Sequence, residues 1–146
     1  MSGVEYKLYL ALVSVHVLSA IGAFGVVFAM PMIRRQLGDS GQTARLELLL
    51  ARKLLTPAMG LLLLTGLVQI AWGPRGFNEP WVGSTFVLLL VLFGIAGAGI
   101  TRTAKALVDG GPDPDGRLRF RLSILWQLSA LLVVAAVVMM VVKPGG

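Results

Sequence analysis

Four stretches of the chain carry no charged residue: Leu8 to Ile33, Leu54 to Pro74, Pro80 to Thr101 and Leu122 to Val142. Each is longer than 20 residues, and a helix rising ~1.5 Å per residue crosses a ~30 Å hydrocarbon layer with about 20. The pattern predicts four transmembrane helices. None of the runs alternates as a barrel strand does, and in lipid a helix satisfies its own backbone amides. The expected fold is therefore all-α: one domain over residues 1–146, a bundle of four membrane-spanning helices.

The polar positions between the runs set the expected orientation. Ten cations fall on one side: Arg34, Arg35, Arg45, Arg52 and Lys53 between the first two runs, and Arg102, Lys105, Arg117, Arg119 and Arg121 between the last two. Lys7, Arg75 and Lys143 fall on the other. Because basic loops resist translocation, both termini are expected on the outer side of a bacterial inner membrane. Tyr6, Tyr9, Trp72, Phe77 and Trp81 gather at the outer ends, where amphipathic rings favour the headgroup zone, while Trp126 lies just inside the inner end of the fourth run. The first run is about twice the 7–15 residue core of a secretory signal, so it is expected to be retained.

Composition narrows the classes. The chain is 56% hydrophobic and 14% charged, against roughly 45–50% and 25% in soluble domains, which excludes a soluble globular or disordered chain. With no cysteine, disulfides, iron-sulfur clusters, thiolate metal sites and cysteine catalysis are excluded. The net charge of +6 follows from the one-sided cations and suits anionic lipid, not nucleic acid. Arg34, Arg52, Lys53, Arg102 and Arg121 stand near the inner helix ends and could gather an anionic lipid headgroup or substrate, although orientation alone accounts for them. Asp109 to Gly116 holds three aspartates but lacks the glutamate of a calcium loop, and reads as a turn.

Two features concern packing. Thr43 to Lys53 reads as a helical continuation with Leu46, Leu49 and Leu50 on one side and Arg45, Glu47 and Arg52 elsewhere. Pro57 then leaves two readings, a kink one turn inside the membrane or a helix that begins near Thr56. Ser19 with Ala23, Gly94 with Ala98 and, more weakly, Ala96 with Ile100 have the small-residue spacing of helix contact faces, within one chain or between copies in a homo-oligomer.

His16 is the one histidine and the one ionisable residue at depth, which makes it the first functional candidate. It lies ~12 Å below the outer end of its run, with Gln69 at ~8 Å and Thr65 at ~13 Å in the second. Either can hydrogen-bond the ring, a plain packing role. The chemical alternative is an axial ligand of haem b: Ser19, Ala20, Ala23, Val27 and Arg34 share its face, leaving space beside the imidazole and a cation for propionates. Met59 lies near the inner side, and Met139 and Met140 lie further out than His16, so a second ligand is poorly matched in depth. No site for a free metal ion is expected.

Leu12-Val-Ser-Val-His16-Val-Leu-Ser-Ala20, Leu64-Thr-Gly66, Trp81 and Met140-Val-Val-Lys-Pro144 resemble a bacterial family of four-helix integral membrane proteins of unknown function. More distantly, a first-helix histidine followed by small residues is similar to the copper-resistance-D membrane domain and to haem-associated protoporphyrinogen oxidase. That resemblance implies a haem role for His16 alone, because Met32 to Arg35 stand where the oxidase carries a second histidine. The expected function is an accessory or structural component of the inner membrane and not an enzyme. The alternatives are a haem- or porphyrin-associated redox protein using His16, and a small transporter or homo-oligomeric channel component.

Overall fold

The protein is described here by a computed structural model covering residues 2–73, 76–110 and 112–144. Pro74, which ends the second uncharged run, Arg75, one of the outer cations, and Gly111 of the aspartate-rich turn lie outside the described residues. Four helices make up the fold: α1 (Gly3–Leu37), α2 (Gly41–Trp72), α3 (Pro80–Asp109) and α4 (Arg117–Val142), each long and apolar enough to cross a membrane. No strand occurs among the described residues.

All four extend beyond the uncharged stretches, and polar side chains cap the starts of α1, α2 and α4. Ser2 and Glu5 close the start of α1 reciprocally, the Ser2 Oγ accepting from the Glu5 N–H at 3.3 Å and the Glu5 carboxylate from the Ser2 N–H at 2.6 Å. Ser40 accepts from the Thr43 N–H at 3.2 Å and starts α2. Asp113 accepts from the N–H groups of Leu118 and Arg119 at 3.1 and 3.2 Å, placing a carboxylate at the positive end of α4.

Pro57 neither starts a helix nor stops one. α2 begins at Gly41 and passes through it by widening: residues Ala51–Leu55 form a π turn in which the Thr56 N–H reaches back to the Ala51 carbonyl. The wide turn lies immediately before the proline, whose missing N–H already interrupts the regular ladder of hydrogen bonds there. A second wide turn, Ile95–Ile100, sits in α3, with the Thr101 N–H on the Ala96 carbonyl. The two wide turns pack against each other.

Each helix packs on the next and α1 on α4, giving a four-membered antiparallel bundle. Val27, Met30, Leu55, Met59, Leu92 and Trp126 are fully buried in its core, while Leu18, Ile21, Leu64 and Leu131 point outward at 59–68% exposure. The bundle is as apolar outside as in. Ser19 and Ala23 lie inside, but in α3 it is Ala96 and Ile100 that are fully buried while Gly94 and Ala98 face out. Both pairs keep their four-residue spacing through the wide turn, and the one read as the weaker is the one turned inward. The amphipathic reading of Thr43 to Lys53 is likewise corrected. Thr43, Ala44 and Glu47 are the buried residues, and Leu49 is 55% exposed.

Candidate functional site

Toward the end of the bundle where α1 starts and α4 finishes, α1 turns its imidazole onto α2 where α2 has no side chain to resist it. A Cβ at Gly66 would lie 3.2 Å from the His16 Cε1, closer than carbon atoms comfortably pack. The glycine lets the ring seat against the helix. There the His16 Nδ1 lies 2.9 Å from the Thr65 Oγ1. That hydroxyl is also 2.6 Å from the Leu61 carbonyl of its own helix, and a hydroxyl has a single proton to give. The carbonyl can only accept. Thr65 therefore donates to Leu61 and accepts from the Nδ1–H of the neutral ring, which leaves the lone pair on the His16 Nε2.

Beside the ring is a cleft of about 190 Å³, bounded by Leu62, Gln69 and Ile70 of α2, Trp81, Thr85 and Phe86 of α3 and Met140 of α4. Thr85 is only 5% exposed, yet neither its Oγ1 nor the buried Nε2 of Gln69 has a hydrogen-bond partner among the described residues. A buried polar group left without a partner costs roughly 1–3 kcal/mol, so two of them facing one cleft call for an explanation. The cleft's outer edge is held in place: Trp81 donates its Nε1–H to the Glu79 carboxylate, and the Lys143 Nζ stands 5.6 Å from the centre of its ring.

Of the residues singled out in the sequence, Thr65 is brought to His16, and Gln69 lines the same cleft without bonding the ring. Arg34 is elsewhere. It lies eighteen residues further along α1, ~27 Å by helical rise, with its guanidinium 2.6 Å from Glu47 and 2.7 Å from Asp39 and 3.3 Å from the Arg119 carbonyl. Glu47, on the α2 segment before the uncharged run, is 1% exposed. Burial pushes its carboxyl up, and the Arg34 charge and hydrogen bond oppose that shift. Arg52, Lys53, Arg102 and Arg121 are exposed, and none borders the groove at that end, which is bounded by Arg34, Arg35 and Arg119 instead.

A haem on His16 would have to share the cleft and the second space that His16 and Met140 border along α1. The cation proposed for its propionates is spent on two carboxylates at the far end of α1. Met140 does border the cleft, despite its shallow place in the sequence. No group of three or more His, Cys, Asp or Glu side chains that could hold a metal ion occurs among the described residues.

Thr85 is the residue that sequence reasoning missed, one hydroxyl among several on apolar helices. The available signal was its position one turn below Trp81, on the α3 face that meets Gln69. Comparison of the chain with family models, with curated proteins and with solved structures found no match.

Proposed function

We propose that the chain is a multi-pass protein of the bacterial inner membrane, with both termini outside, that serves as an accessory component by holding a small molecule in its outer cleft. Two features support the setting. The bundle presents leucine, isoleucine and valine outward along its middle, as a lipid solvent favours, and ten of the 13 Lys and Arg in the sequence belong to the two inner connections and adjoining helix ends. Reporter fusions after Val142 should read periplasmic and at Asp109 cytoplasmic, and the opposite pattern would overturn the orientation.

The observation that carries the ligand-holding role is the unequal treatment of polar atoms around the cleft. His16 is bonded through its Nδ1, while the Gln69 Nε2 and the Thr85 Oγ1 are buried with no hydrogen-bond partner among the described residues. An atom kept dry and unpaired lowers stability unless something else binds it. Replacing such atoms by apolar side chains of the same shape is then harmless to the empty protein. Gln69→Leu and Thr85→Val, unfolded reversibly in mixed micelles, should match the parent chain or exceed it by up to about 1 kcal/mol. A loss above that size in both would show these groups to be structural and remove the basis for a ligand site.

A further inference from the structure

A second space adjoins the cleft and shares His16, Leu62 and Met140 with it. This groove, about 440 Å³, runs along α1 past Ala20, Ile21 and Phe24 to Phe28, a length of ~18 Å by helical rise. Its walls are hydrocarbon apart from the imidazole at one end. The pair of spaces is thus a compact polar pocket opening onto a long apolar trough, with the single histidine at the junction.

We propose that cleft and groove together bind one amphiphile, a six-membered ring bearing carbonyl oxygens in the cleft with an apolar tail along α1, which is the chemistry of a membrane quinone. This rests on reading the outer cleft as a ligand site. Size sets the head: a cavity near 150 Å³ takes a benzene ring, and 190 Å³ leaves room for small substituents but not for a fused-ring skeleton. Charge argues against the commonest amphiphile: among the described residues no Lys or Arg lines either space, and Lys143 at the cleft's edge stands over the Trp81 ring, so the walls offer a phosphate headgroup only neutral donors. Hydrogen bonding selects what remains. The Gln69 Nε2 and the Thr85 hydroxyl are donors in want of acceptors, and a quinone ring offers two carbonyl oxygens. The His16 Nε2 lone pair can accept the O–H of the reduced ring, so both forms of the molecule find partners. Trp81 and Phe86 supply aromatic surface beside the head.

The test titrates detergent-purified protein with ubiquinone-1, a benzoquinone with one isoprene unit, followed by quenching of tryptophan fluorescence, with farnesol as a tail without the ring. Saturable one-to-one quenching is expected, not competed by farnesol at equal concentration, and weakened about tenfold in Gln69→Leu and in Thr85→Val. His16→Phe should weaken the reduced quinol more than the quinone. The proposal is overturned if quenching never saturates, if the Gln69 and Thr85 variants bind as the parent does, or if farnesol displaces the quinone equally well. Failure of the quinone alone, with Gln69→Leu and Thr85→Val still stable, would leave the ligand-site reading standing, because that reading is judged by stability without ligand.

Discussion

The two ends of this bundle bury different kinds of polar group. At the end proposed to face inward, Arg34 and Glu47 are nearly dry, yet the guanidinium has two carboxylates and a carbonyl within 3.3 Å, while the neutral Trp126 Nε1 beside the same groove has no partner among the described residues. At the end proposed to face outward, the His16 Nδ1 is bonded, and the Gln69 Nε2 and the Thr85 Oγ1 have no hydrogen-bond partner among the described residues. The difference separates a charge, which must keep its counter-charge when dry, from neutral groups that can stay unpaired at a smaller cost. It also explains why glutamate is carried inward at Glu47, where its partner is, while Leu49 is 55% exposed.

The contrast can be broken by substitution, starting where the effect is largest. Glu47→Ala leaves Arg34 with only the exposed Asp39 as counter-charge and should cost about 3–5 kcal/mol in mixed-micelle unfolding; a cost under 1 kcal/mol would make the inner network ornamental. Thr65→Val removes the acceptor of the His16 Nδ1–H and should cost about 0.6–2 kcal/mol, the range of hydrogen bonds between membrane helices. At the bottom of the series come Gln69→Leu and Thr85→Val, for which no loss is expected. An inner-end cost no larger than that of the cleft substitutions would erase the distinction between the two ends.

Much of this was legible in the chain. The uncharged runs mark four helices because charge is excluded from apolar surroundings over a whole crossing, a signal integrated over twenty residues. What failed were readings of a helix taken by itself. Gly94 and Ala98 were placed on a contact face that the packing gives to Ala96 and Ile100 instead, and of the two outcomes that Pro57 offered, a helix beginning near Thr56 is not the one taken, since α2 runs through it with a wide turn at Ala51–Leu55. Around the site, His16 stood out because it is the one histidine, but Thr85 and Met140 are drawn to it only by the packing of α3 and α4. Arg34 shared the His16 helical face in sequence, but it answers instead to Glu47, thirteen residues further along the chain. Periodicity does not reveal which of two neighbours a long side chain will reach.

Because the chain has one histidine, its imidazole gives a single pair of nitrogen resonances, and ¹⁵N NMR of histidine-labelled protein in micelles reads the proton's position directly. The neutral ring should carry its proton on Nδ1, with Nε2 bare, and Thr65→Val should erase that preference. A proton found on Nε2 in the parent chain would contradict the account, since Thr65 would then have no Nδ1–H to accept.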